Sequence, residues 1–433
     1  MNHIFKLIPN FILIIICGAK AQTSMPTSLF ANTSDAVATA QLGKFYIISG
    51  FKPRSANSAV EIYDPITQRW DSRGCLYRIN HNAAFIGDTL YIIGGTTDLG
   101  ASVSQIEKYN ITTKQWGVND SMPEPRQQTA SVSFGNTIII AGGFSAGKPT
   151  DRVDIYNSST GAWTRSKLSA PKTDMSAAVI NNKAFFLGRA NINNDTIDVY
   201  DNQVGAWSVI HFPRPINGVK LYSSSTKLIF ISSFDANNAL TGSIDIYDTD
   251  KKTWSVTTMP TPRYLYGAAT TVTKLIIGGG NIKDGYPSTV VDIYDITSNK
   301  WTSTKLTQRR HNLCAAASGN LVLFAGGITD ADPINPISQV VDIFDLTLSP
   351  VDEPISNSFS IYPNPVTQSL KFSLNNISIL TDARLLITDM LGRKMIEKTF
   401  SSDELDVSNL TGGLYLLEIK GKDVNYVQKF IKQ

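Results

Sequence analysis

The chain has 433 residues, and 42% of them are hydrophobic, which argues for ordered cores in more than one domain and against disorder. Its 39 basic and 36 acidic residues leave a formal charge of +3 with no long basic run, so charge gives no case for a nucleic-acid partner. Three cysteines are too few for a disulfide framework.

The N-terminus reads as a secretory signal. Lys6 supplies the positive start, Ile8 to Ile16 with Cys17 the apolar core, and Ala19-Lys20-Ala21 the cleavage pattern, so a mature chain is expected from Gln22. The apolar run is shorter than the roughly 20 residues that a membrane span needs, and no transmembrane segment is expected in the mature chain. Acylation of Cys17 would require a small residue where Ile16 stands. Cys75 and Cys314 would remain after cleavage, and two separate thiols are expected rather than a bridge.

A repeat follows. Trp70, Trp116, Trp163, Trp207, Trp254 and Trp301 are the six tryptophans of the chain, and each is preceded seven residues earlier by Tyr63, Tyr109, Tyr156, Tyr200, Tyr247 or Tyr294. A period of 44 to 47 residues means units that bury their apolar faces only by stacking. Four short strands are predicted per unit. In the third they are Ala130 to Phe134, Thr137 to Ala141, Arg152 to Tyr156 and Ala162 to Arg165. A glycine pair ends the second strand as Gly94-Gly95, Gly142-Gly143, Gly278-Gly279 and Gly326-Gly327, with Ser49-Gly50 in the first unit. Asp or Asn follows each tyrosine and is expected to start the next turn by accepting backbone N–H groups.

This pattern resembles the kelch repeat over about residues 35 to 346. The resemblance implies an all-β fold, a kelch-type β-propeller of seven blades, with six blades and irregular ends as the alternative. The last unit carries Phe344 for Tyr, and Val351 after Pro350 where Trp is due, so its fourth strand is expected to be weak. The segment Gln22 to Asn32 is the candidate to supply it and close the ring.

Loops after the second strand vary, from 11 to 17 residues between the glycine pair and the aromatic residue, and this is the face where binding is expected. A basic residue enters most units there: Arg78, Arg126, Lys172, Arg214, Arg263 and Arg310. Two readings stand. They ring the channel mouth and attract a carboxylate or sulfate ligand, or, as in other kelch repeats, they tie neighbouring blades. His81 and His311 read as matching positions at the start of their first strands, but no third ligand accompanies them, so no metal is expected. Nothing around Cys75 or Cys314 reproduces the kelch copper-radical oxidase site, and no cofactor is expected. Two units depart from the pattern, with Gly188-Arg189 and Ser232-Ser233 at the glycine pair, either by drift or to place side chains, Arg189 above all, near a ligand. The ligand-contact candidates are Arg78, His81, Arg126, Arg189, Arg263, Tyr264, Arg310 and His311.

After Pro350 the period stops. A linker over 351–358 leads into a small antiparallel sandwich over 359–433. Tyr362-Pro363-Asn364-Pro365, Gly392-Arg393 and Gly412-Gly413 with Tyr415 resemble, in their order, the C-terminal sorting domain of type IX secretion in Bacteroidota. The resemblance implies passage over the outer membrane, with the cargo released or held at the cell surface. An accessory sugar-binding sandwich is the bland alternative.

The expected function is therefore a secreted or surface-displayed propeller, residues 22–350, that binds a protein or glycan. A carbohydrate-active enzyme similar to the sialic-acid epimerases is the alternative. It would need an arginine cluster beside a carboxylate or histidine of shifted pKa, and none of Asp98, Asp235, Asp284, Asp330 or Asp332 stands out for that role. A structural spacer in an adhesin is the third reading.

Overall fold

The computed structural model describes residues 27–29, 33–48, 50, 58–190, 196–214, 217–235, 237–330, 336–347, 360–373, 383–389, 393–399, 404–420 and 425–433. The expected signal segment, the linker, Ser49, Asp332 and Gly392 lie outside them. Two compact units are present, one within 22–349 and one containing 350–433.

The first unit is built of antiparallel four-stranded sheets. The first runs Val37–Gln41, Lys44–Ile48, Ser58–Asp64 and Arg69–Cys75 in chain order. The same meander recurs from residues 217 and 267; from 82 its outer edge is split into Gln115–Trp116 and Asp120–Ser121, and from 314 only three strands follow in chain order. Between them, 130–211 forms one eight-stranded sheet, because Trp163–Ile180 runs unbroken out of one repeat into the next. The innermost strands touch in a cycle. Val37–Gln41 meets Asn82–Ile86, and contacts continue in chain order to Cys314–Ser318, which returns to Val37–Gln41.

Each Tyr–Trp pair lies directly cross-strand, as Tyr63 opposite Trp70 and Tyr156 opposite Trp163. Ring centroids are 4.8 to 5.1 Å apart and tilted, a contact that adds about 0.5–1.5 kcal/mol beyond buried area. The following Asp or Asn does start the turn. The Asn110 Oδ1 atom accepts from the Thr112 and Thr113 amides, and Asp295 from Thr297 and Ser298.

The ring is fastened at its ends. Thr27–Ser28 pairs with Val340–Asp345, Thr27 opposite Val341. Leu29 is 3% exposed and packs with Phe45 and Tyr63 of the first sheet and Leu323 and Ile343 of the last.

The basic residues join the sheets. The Arg126 carbonyl accepts from the Gly95 amide of the preceding sheet at 3.0 Å. Its guanidinium, fully buried, pairs with Asp154 in the third strand of its own sheet and donates to the Gly142 and Arg152 carbonyls at 3.0 Å. Lys172 and Arg310 repeat both halves of this bridge, with Asp198 and Asp342. Arg78, Arg214 and Arg263 pair with Glu107, Asp245 and Asp292. The glycine pair is required at the receiving end. Gly94 and Gly95 have φ of 60° and 99°, and a Cβ on Gly94 would stand 2.5 Å from the Arg126 carbonyl oxygen. In the penultimate sheet these roles fall to Gly279 and Gly280, not to Gly278 and Gly279 as the spacing predicts; Gly278 lacks the positive φ. At the seam the Gly327 amide donates to the Thr33 carbonyl at 2.8 Å, so the N-terminal segment stands in for a basic residue.

The second unit packs a three-stranded sheet (Ser360–Tyr362, Ser369–Ser373, Glu404–Asp406) on a four-stranded one (Arg384–Asp389, Lys394–Thr399, Gly413–Lys420, Asn425–Lys432). Ile361, Leu370 and Leu405 face Leu385, Ile387, Leu417, Ile419 and Phe430 in one core. Asn364 clasps the last strand, accepting from the Ile431 amide at 2.9 Å and donating to the Lys429 carbonyl at 3.2 Å. The Tyr415 hydroxyl donates to the Thr411 carbonyl at 2.8 Å.

Breaking a buried ion pair leaves an uncompensated charge and costs about 3–5 kcal/mol, whereas replacing both members by apolar groups costs far less. Arg310→Met alone and Asp342→Leu alone should each lower unfolding free energy by about that amount, and the double variant by less than either. Denaturant titration of the four proteins checks this; additive losses would show that the pair is not coupled.

Candidate functional site

Five of the eight candidate contacts, four arginines and His81, are withdrawn from the surface. The Arg78, Arg126, Arg263 and Arg310 side chains are at most 1% exposed and carry internal partners. A charged channel mouth needs guanidinium groups facing solvent, and here they face carboxylates and carbonyls within the sheets. Burial pushes the Arg126 guanidinium down to about 10, opposed by the Asp154 charge.

His81 and His311 do not occupy matching positions. The bridge partners align Ile79, Gln127, Tyr264 and His311 with Thr96, Phe144, Asn281 and Ile328 respectively. His311 thus matches Ile79, one residue after the arginine, while His81 stands three residues after Arg78. His81 is buried, and burial, then the Arg78 charge, hold its imidazole down at about 3. His311 is half-buried, and burial lowers its pKa. Among the described residues no group of three His, Cys, Asp or Glu side chains is placed to hold a metal.

The half-buried ring of Tyr264 lies 5.4 Å from Phe234. At the entry to six of the repeats one residue adopts the left-handed conformation: Asp35, Asn80, Gln128, Asp174, Leu265 and Asn312, with φ between 49° and 55°. Backbone bonds link several of them, from the Gln128 amide to the Asn80 carbonyl and from the Asp35 amide to the Asn312 carbonyl. Asp35 sits near His311, and burial raises its pKa against bonds from Ser34 and Asn312.

The same end of the ring carries short hairpins after the second strands. The Gly100 amide returns to the Thr97 carbonyl, Asn238 to Asp235, and Gly285 to Ile282. Leu99 and Tyr286 stand on two of them, 90% and 61% exposed. Where the glycine pair is lost, the second strand cannot turn away and runs on. Lys183–Ala190 and Lys227–Phe234 have eight residues against five in Thr137–Ala141. That extension carries Arg189, opposite Thr173, to an open pocket of about 610 Å³ lined by Gln127, Gln128, Phe144, Pro149 and Thr173. Arg189 pairs with Asp174 at 3.2 Å, and the two side chains are 63% and 42% exposed.

The carboxylates that hold the basic residues, Glu107, Asp154, Asp198, Asp245, Asp292 and Asp342, each stand two residues before the repeat's Tyr or Phe344, as Glu61 does in the first repeat, a signal as regular as the tryptophans.

An imidazole held neutral in the folded state contributes nothing to the pH dependence above its unfolded pKa. Between about 6.5 and 3 the unfolded chain binds a proton that the folded one refuses, so stability falls as pH falls, by up to about 1.4 kcal/mol per pH unit. Denaturant midpoints between pH 7 and pH 5 should drop less in His81→Phe than in the parent; equal slopes would remove His81 as the source.

Residues 36–216 and 80–261 match the KLHDC2/KLHL20/DRC7 Kelch-repeats domain, and residues 360–433 match the secretion system C-terminal sorting domain. Alpha-scruin of Limulus polyphemus is 29% identical over 165 residues, 35% of this chain and 18% of that protein. Kelch-like protein 7 of Rattus norvegicus is 28% identical over 128 residues, 29% and 22% of the two chains. Spermatocyte protein spe-26 of Caenorhabditis elegans is 26% identical over 206 residues, 44% and 36%. The chain thus spans about a fifth of the length of the first two relatives and about a third of the last. The overlapping matches extend over more than half of the 433 residues, and with the cycle of four-stranded sheets they place the chain in the kelch-repeat β-propeller family, here joined to a secretion-system sorting domain.

Proposed function

We propose that this is a seven-bladed binding propeller, exported by an N-terminal signal over residues 1–21 and a type IX route, that engages a protein partner outside the cell through the rim of hairpins after the second strands. The observation that carries the reading is the contrast between framework and rim. Most framework cations are consumed by buried carboxylates, while Leu99 and Tyr286 stand free on hairpin tips beside Asp98 and Asp284. Exposed large apolar groups ringed by charge are the usual anchors of a protein interface. In this reading the boundaries are 22–350 for the propeller, 351–358 for the linker and 359–433 for the sorting domain. The Asn364 clasp and the Tyr415 bond then keep the address folded rather than serving as contacts themselves.

The second reading, an acid–base enzyme on sugars, draws support from Asp35 and His311, whose pKa values move in opposite directions at the channel mouth. Against it, the neighbouring Arg310 guanidinium turns inward to Asp342 and is not offered to a substrate beside the pair.

The full chain, immobilised and exposed to cell-envelope extract, should retain a partner that Leu99→Asp with Tyr286→Asp releases at unchanged thermal midpoint. Retention by that variant would refute the rim. For export, a chain ending at Ser358 should accumulate in the periplasm, read by cell fractionation. Its normal arrival at the surface would refute the sorting role.

A further inference from the structure

The pocket beside Arg189 differs in kind from the rest of the rim. It lies where Trp163–Ile180 joins two repeats into one sheet, and its lining combines a guanidinium, two carboxamides, a hydroxyl and an apolar wall. Arg189 stands where most repeats carry a glycine. Among the described residues its carboxylate partner is Asp174, through a single contact at 3.2 Å, and both side chains are open to solvent. An exposed pair of this kind is worth about 0–1 kcal/mol, so an incoming carboxylate can replace Asp174 at little loss, and the planar guanidinium offers it two parallel donors.

The remaining lining is oriented. The Thr173 hydroxyl donates to Gln128 Oε1 at 2.6 Å, which fixes that carboxamide by its oxygen and turns its N–H donors to the other side. The Gln127 carboxamide makes long contacts, with Asn80 at 3.4 Å and Ser102 at 3.5 Å, and is readily exchanged to a ligand. Phe144 is held by two backbone bonds to Gln127, at 2.8 and 3.2 Å, so its half-buried ring and the facing Pro149 form a fixed flat wall. A volume of about 610 Å³ suits a ligand of one to a few rings.

We propose that this pocket binds an acidic sugar, a hexuronate-type residue of a glycan. Arg189 takes the carboxylate in place of Asp174, the Gln127 and Gln128 carboxamides take ring hydroxyls, and Phe144 with Pro149 packs on the C–H face. One cation beside several neutral polar groups and an apolar wall matches one carboxylate on a hydroxylated ring. A run of acidic peptide side chains would call for more than one free cation. The proposal rests on the reading of the propeller as a binding module, but it uses a different part of the rim from Leu99 and Tyr286.

The test is calorimetric titration of the full chain with trigalacturonate, maltotriose and a triglutamate peptide. Trigalacturonate should bind at least about tenfold more tightly than maltotriose. Arg189→Ala should remove that preference, and Arg189→Lys should restore part of it, because Lys keeps the charge and loses the fork. Gln127→Ala, which leaves the ion pair in place, should weaken both sugars together. Three results would each overturn the proposal: no binding of trigalacturonate at about 10 mM, equal binding by the Arg189→Ala protein, or a preference for triglutamate. Leu99→Asp with Tyr286→Asp should leave trigalacturonate binding unchanged, so failure here and failure of the protein-binding rim are told apart.

Discussion

The ring depends on one buried arrangement: a basic residue whose main chain belongs to one sheet's network and whose side chain belongs to the next. At Arg126 the carbonyl receives the Gly95 amide of the sheet before, and the guanidinium closes on Asp154 of the sheet after. Such a group is costly to bury, and Asp154 with two carbonyls must satisfy most of its donors for the state to be favourable. Hydrophobic packing between sheets tolerates sliding. A forked donor with fixed acceptors does not, so the ion pairs set the position of each sheet on its neighbour while the Tyr–Trp contacts supply the area. The seam shows the same requirement from the other side. Where no arginine arrives, the Thr33 carbonyl still receives the Gly327 amide, and Leu29 fills the gap between the first and last sheets.

Breaking the pattern has a local price in regularity and a local gain in shape. Arg189 and Ser232-Ser233 stand where glycines take the positive φ that turns the chain out of other sheets, a conformation that costs a residue with a Cβ, and the strands over 183–190 and 227–234 continue. In the first case the continuation pairs with the segment entering the repeat, Thr173 opposite Arg189, and fuses two sheets. A scaffold of identical units presents the same surface at every step. The pocket at Arg189 exists because one step is unlike its neighbours, and the framework holds because Lys172 still reaches Asp198 there.

Much of this was legible in the chain, for physical reasons that also mark where legibility ends. The Tyr–Trp spacing is a cross-strand pairing written into the sequence, and it survives because the hairpin length between the two is fixed. The acid two residues before each tyrosine is equally regular. It passes unnoticed because an acid in a strand reads as a solvated position until a buried cation is placed opposite it. The His81 and His311 mismatch arises from counting from the start of the strand. Counting from the arginine, whose carbonyl fixes the register, separates them by two residues. The long strand over 163–180 contains Pro171, which reads as an interruption; it sits between the pairings of Lys167 and Lys172, where the register shifts and no ladder donor is needed. Gly278, Gly279 and Gly280 form a run from which spacing alone cannot choose two.

The same economy supports the proposal of recognition rather than catalysis. Acid–base chemistry needs titratable groups in a cleft with their partners left open for a substrate. Here the repeated cations and carboxylates answer one another inside the sheets, and a repeat that used them for chemistry would loosen the sheet that carries them. What remains on the rim is supplied by residues that the repeat does not need: hairpin tips, one extended strand and a half-buried ring. These can vary without disturbing the bolts beneath them. A rigid ring whose variable positions are decoupled from its stability is suited to holding different surfaces out from the cell on the same frame.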